Sequence, residues 1–128
     1  MATLGYSPAK ARDIVDDVVV EYPFVQRHVG DPGPNGTANV SASNARQDST
    51  GKWAASATVG ATTTKATNAS LTWANESAAE DHTHVTLWST LSGGSFGMSG
   101  TITANPVGIG DDFVAAAGAI VLTQPNAS

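Results

Sequence analysis

Apolar residues near the start of the chain recur at three-to-four spacing: Ala11, Ile14, Val15, Val18, Val19 and Tyr22 form one stripe. Arg12, Asp13, Asp16 and Asp17 occupy the rest of that surface, the pattern of a helix with one buried face. Ser7-Pro8-Ala9-Lys10 precedes the stripe. A serine hydroxyl can accept from an orphan backbone N–H, and proline at the first helical position lacks only a donor that would go unused. Pro23 closes the pattern, because a residue before proline is pushed out of the helical region.

Beyond Pro23 the pattern changes to short β-like runs separated by turn chemistry. Strands are predicted at Phe24 to Val29, Trp53 to Val59, Ala69 to Trp73, His82 to Ser89, Phe96 to Thr103, Asp112 to Ala115 and Ala119 to Thr123. Asp31-Pro32-Gly33-Pro34-Asn35-Gly36 cannot lie inside a regular element, and Ser92-Gly93-Gly94-Ser95 carries the glycine pair of a tight hairpin. Asn105-Pro106 and Gly108-Ile109-Gly110 mark further turns. Ala115 to Ala119 reads as a turning connection, and Thr62 to Thr67 as a mobile or edge segment. Alternation sets Val85 and Leu87 on one face against Thr86 and Trp88 on the other. The expected fold is mainly β, a single antiparallel β-sandwich (jelly-roll-like) with one short N-terminal α-helix. Residues 1–23 form the helix packed on the domain, and 24–128 the β-sandwich domain.

With 128 residues the chain has room for one core, since a domain commonly takes roughly 100 to 200. No cysteine is present, which removes disulfides and thiolate metal sites. The net charge is −5 and six Lys plus Arg are scattered, so no patch can neutralise a phosphate backbone and nucleic acid is not an expected partner. Charged residues make up 13%, against about 25% in ordinary domains. A low-charge surface of small polar groups suits packing against other proteins, because few ions need desolvating. Lys10, Arg12, Asp13, Asp16 and Asp17 interrupt any apolar leader near the start, so neither export nor a membrane partner is expected.

Candidate chemistry is sparse. Glu80, His82 and His84 alternate along a predicted strand and could share a face around a metal ion. No second cluster completes the shell, and a metal is not expected. Ser89 or Ser92 with His84 and Asp111 or Asp112 could in principle make a hydrolase triad. The chain lacks a Gly-x-Ser-x-Gly elbow, so catalytic residues and cofactors are expected to be none. Gly93-Gly94-Ser95-Phe96-Gly97 lacks the lysine of a phosphate loop. Trp53, Trp73 and Trp88 would form a sugar platform only if exposed in a row, and large rings more commonly fill cores. The Asn-x-Ser/Thr triplets, such as Asn35-Gly36-Thr37 and Asn68-Ala69-Ser70, follow from the abundance of these residues.

The order of motifs resembles small virion proteins of tailed phages of actinobacteria, the tail-fibre-like or minor tail proteins. The resemblance runs through Arg27-His28-Val29-Gly30-Asp31-Pro32-Gly33-Pro34-Asn35-Gly36-Thr37-Ala38-Asn39, then Asn44-Ala45-Arg46-Gln47, with asparagine in place of the family's aromatic. It continues through Thr83 to Trp88, Ser92 to Phe96, Ser99-Gly100, Gly110-Asp111-Asp112-Phe113 and Ala117 to Leu122. The resemblance implies a compact β-sandwich serving particle architecture or host contact, with no enzymatic residues.

The expected function is therefore that of a non-enzymatic structural protein of a tailed bacteriophage virion, an accessory surface subunit assembled in the host bacterial cytoplasm. The alternatives are a capsid decoration protein that clamps neighbouring capsid subunits and, from another class, a carbohydrate-binding module. Expected partners are other virion proteins, capsid or tail, and further copies of the chain in a homo-oligomer, with a trimer as one arrangement. A glycan on the host surface is a further candidate. Loops on a rigid scaffold carry contacts, which makes Asp31, Pro32, Gly33, Pro34, Asn35, Gly36 and Thr37 the expected partner interface, together with the N-terminal helix. Both chain ends, at Met1 and Ser128, are expected to meet neighbouring chains.

Overall fold

Ser7 starts the helix where the sequence predicts it. In the computed structural model, which describes residues 4–43 and 45–127, the Ser7 hydroxyl accepts from the Lys10 N–H at 3.1 Å. Helix α1 then runs over Pro8–Glu21 and buries Ala11, Val15 and Val19. It ends as Tyr22 N–H donates to the Val18 carbonyl at 2.8 Å. Asn44, which begins the Asn44–Gln47 motif, and the terminal residues Met1 and Ser128 lie outside the described residues.

The strands are β1 (Phe24–His28), β2 (Gln47–Asp48), β3 (Ala57–Val59), β4 (Thr62–Ala66), β5 (Leu71–Trp73), β6 (Glu80–Trp88), β7 (Phe96–Val107), β8 (Phe113–Ala115) and β9 (Val121–Pro125). Among the described residues they form three antiparallel sheets, ordered β2-β1-β6-β7, β3-β4-β9 and β5-β8. The mainly β class with one short N-terminal helix is as expected. Val25, Val85 and Leu87 of the first sheet, Leu122 of the second, and Leu71, Trp73, Phe113 and Ala115 of the third meet in one core. Val15 and Val19 bring α1 into the same core, and the helix lies against β3, β4 and β9.

Three local expectations are corrected. The segment Thr62 to Thr67 is not an edge: Thr62–Ala66 is β4, the middle strand of its sheet. Its inward positions are polar yet satisfied, which is what makes their burial tolerable. Thr63 Oγ1 bonds Asn126 Oδ1 at 2.8 Å and Thr58 Oγ1 at 2.9 Å, and Lys65 Nζ donates to Asp16 and to the Ala54 carbonyl. Asn105-Pro106 is not a turn but continues β7. That strand lies at a sheet edge, where a missing N–H can face away from the ladder. Finally, Trp53 to Val59 yields strand only from Ala57, with Trp53 held by an isolated bridge to Thr67.

Candidate partner-contact surface

Strands β1 and β6 pair in register from Phe24↔Trp88 to His28↔His84. Their alternate residues would ordinarily leave one face to water, yet Val25 to His28 and Val85 to Trp88 are all buried. The face away from the core carries His28, Thr86 and Trp88, and side chains there make a polar relay. Trp88 Nε1–H donates to Thr86 Oγ1 at 2.7 Å. The Thr86 hydroxyl donates to His28 Nε2 at 2.8 Å, and His28 Nδ1–H donates to the Ala38 carbonyl at 2.8 Å. A carbonyl can only accept, so the proton sits on His28 Nδ1, and in the neutral ring Nε2 is left to accept from Thr86. Burial pushes the His28 pKa down, in agreement with that form.

This relay ties down the loop expected to meet partners. Asp31 Oδ1 accepts from Gly33 N–H at 2.9 Å, Gly36 N–H donates to Gly33, and Ala38 N–H donates to Pro32. Asn39 Nδ2 closes the turn on the Asp31 carbonyl at 2.8 Å. Pro32 and Gly36 are buried anchors. Gly36 has φ +71, and a Cβ there would stand 2.5 Å from the Phe96 ring. Phe96 leans on Trp88, and the Arg46 guanidinium covers the other ring at 4.1 Å while bonding the Thr90 and Gly93 carbonyls. Of the expected interface residues, Asp31, Pro34, Asn35 and Thr37 are exposed, Gly33 is half-buried, and Pro32 and Gly36 serve the interior. The loop is thus a stiff ridge with four outward side chains, two of them able to donate hydrogen bonds.

On the core face, sequence reasoning missed a buried ionic cluster. Arg27 and Glu76 form an ion pair with side-chain exposures of 1% and 0%. His82 lies beside them, 3.3 Å from Glu80 Oε2, 3.3 Å from Ser41 Oγ and 4.0 Å from Glu76 Oε2. Arg27 also donates to the Ser43 carbonyl, and Glu80 Oε1 accepts from Ala42 N–H. Trp73 and Phe113 cover the guanidinium, and Phe113 stands edge-on to His82. Burial lowers the Arg27 pKa to about 10, partly opposed by Glu80, so the group stays charged at neutral pH. Burial first, then the Arg27 charge, lowers the pKa of His82, against the pull of Glu80.

Glu80, His82 and His84 do not share a face as expected. The β6–β7 register shifts between His82 and His84, and such an irregularity re-aims side chains. His82 packs on Phe113, whereas His84 Nδ1 bonds Thr83 Oγ1 at 2.8 Å. Among the described residues, no three His, Cys, Asp or Glu side chains gather to hold a metal. The triad candidates are also apart in role: Ser89 Oγ accepts from Ser95 N–H, Asp111 Oδ2 accepts from Gly108 N–H, and Asp112 Oδ1 accepts from Asn75 N–H. Ser41 meets His82 at Nε2, the same nitrogen that Glu80 approaches, whereas a triad uses the two ring nitrogens separately. Trp73 is buried in the core, Trp53 is half-buried against it and Trp88 is buried on the opposite face of its sheet, so the three form no flat exposed row.

The architecture combines a buried polar interior with an external ridge that turns Asp31, Pro34, Asn35 and Thr37 outward. In comparison with known proteins, the family model described as podophage GP4 fiber I protein gp80 matches residues 18–123. No curated protein matches the chain.

Proposed function

The chain belongs to the podophage GP4 fiber I protein gp80 family, and from that premise we propose that it is an accessory subunit of the virion's fibre apparatus. Membership of the family makes it a structural, tail-associated phage protein. The match over residues 18–123 carries the reading, because it spans every strand but the last two residues of β9. In this role the subunit works by adhesion and not by catalysis. The ridge of Asp31, Pro34, Asn35 and Thr37 supplies the contact with a neighbouring virion protein, held in place by His28 and Phe96. An actinobacterial host is the one whose tail-fibre-like proteins the motifs resemble. The fibre family favours the tail over the capsid shell as its location.

The test is a phage carrying Asn35→Ala and Thr37→Ala together, positions whose side chains are exposed. Purified particles are expected to contain less of the subunit, while the isolated variant keeps its unfolding midpoint. Normal incorporation with normal infectivity would remove the ridge from the proposal.

A further inference from the structure

The peptide bond at the start of the ridge is chemically unlike the others. Asp31-Pro32 is the single Asp-Pro pair in the sequence. A proline nitrogen belongs to a tertiary amide and carries no hydrogen, so it leaves readily once protonated. An aspartate carboxyl can also reach its own backbone carbonyl carbon through a small, unstrained ring.

The fold acts on this same bond. Asp31 Oδ1 accepts from Gly33 N–H at 2.9 Å, and the ring closed by that hydrogen bond contains the Asp31–Pro32 link. The carboxyl is thereby folded back along the bond and loses little freedom on reaching the carbonyl. Asn39 Nδ2 donates to the Asp31 carbonyl oxygen at 2.8 Å, a distance at which an amide donor stabilises a developing oxyanion. Gly30 permits this approach, since a Cβ there would stand 3.2 Å from Asn39 Cγ and Nδ2. Pro32 is buried, which keeps bulk water from its nitrogen, whereas Asp31 is exposed. Among the described residues no ion pair reaches the Asp31 carboxyl, so no cation holds it in its ionised form.

We propose that the chain cuts its own backbone between Asp31 and Pro32. In the acid form of Asp31, the side-chain hydroxyl oxygen adds to the Asp31 carbonyl carbon and its proton passes to the Pro32 nitrogen. The C–N bond then breaks, leaving a cyclic anhydride on residue 31 and a free secondary amine on Pro32. Water opens the exposed anhydride to two carboxyls and is the only co-reactant. The products, residues 1–31 and 32–128, stay together, because β1 on the shorter piece pairs with β2 and β6 and α1 is packed in the core. The cut unties the ridge from β1 without shedding either piece. The inference stands apart from the location of the subunit in the virion.

The test is mass spectrometry, under denaturing conditions, of the full chain incubated in a mildly acidic buffer in which circular dichroism shows it folded. Fragments 1–31 and 32–128 are expected to form about tenfold or more faster than from the same chain unfolded in urea at the same pH, because only the fold supplies the positioning and the oxyanion donor. Asp31→Asn keeps the acceptor for Gly33 N–H but lacks the acid hydroxyl, and is expected to stay whole. Asn39 has φ +54, so Asn39→Gly suits the backbone while removing the amide, and should cut about tenfold more slowly. Circular dichroism checks that each variant is folded. A chain that stays whole overturns the proposal, and so do equal rates from folded and unfolded chain. Cutting of Asp31→Asn or Asn39→Gly at the original rate overturns it as well.

Discussion

Arg27 of β1 and Glu76 of the connection between β5 and β6 form an ion pair inside the core, although they are far apart in sequence. Trp73 and Phe113 lie over the guanidinium at 4.9 and 5.5 Å, so water cannot replace a lost partner. Breaking a buried pair strands the other charge and costs about 3–5 kcal/mol. Arg27→Met is therefore expected to lower unfolding free energy by about that amount in urea titrations. Arg27→Met with Glu76→Leu is expected to recover part of the loss, because no orphan carboxylate remains. A double variant as unstable as the sum of its single changes would contradict the pairing.

The two buried histidines give the fold a defined acid sensitivity. His28 and His82 both titrate below the ordinary 6.5 in the folded chain. Below 6.5 the unfolded chain then binds more protons than the folded one. Their contribution to stability is complete above the unfolded pKa, and it is lost as pH falls through 6.5 towards the folded values. Asp16 and Asp48 also have lowered pKa values, Asp16 chiefly through its bond to Lys65 and Asp48 through the Thr50 hydroxyl. Their loss falls at lower pH, beneath the carboxylate value of 3.8. Urea midpoints are expected to hold near pH ~7.5 and to drop by pH ~5. His28→Asn should flatten part of that slope, and an unchanged midpoint across the window would contradict the assignment.

Gly36 is required for two separate reasons, its left-handed backbone and the Phe96 ring 2.5 Å from a would-be Cβ. Gly36→Ala is expected to cost about 1–3 kcal/mol, from overpacking together with strain. Gly60→Ala has the same backbone sign but nothing within 4 Å, and should cost only about 1 kcal/mol. Thermal or urea unfolding of the two variants separates packing from backbone strain. Equal losses would show that Phe96 yields without cost.

Features set by local chemistry were legible in the sequence. Ser7-Pro8 and Pro23 bound α1, and Gly93 and Gly94 take positive φ in the turn between β6 and β7. The Asp31–Thr37 loop was also recognisable, but not the division of its residues between ridge and anchor, because that depends on Phe96 and Ala38 meeting it in space. Strand β4 was hidden because Thr63 and Lys65 break the apolar alternation, and only Asn126, Asp16 and Ala54 explain their burial. The ionic cluster was hidden for the same reason. Its one local sign was Arg27, a charge two residues after Val25 in a chain where charge is scarce, hence on the same strand face.

The most direct measurement of the central claim is imaging of intact phage particles with this subunit tagged at an exposed turn such as Gly60. Density for the tag on the fibres of the tail is the predicted result. Density spread over the capsid shell, or purified particles that lack the subunit altogether, would contradict a role in the fibre apparatus.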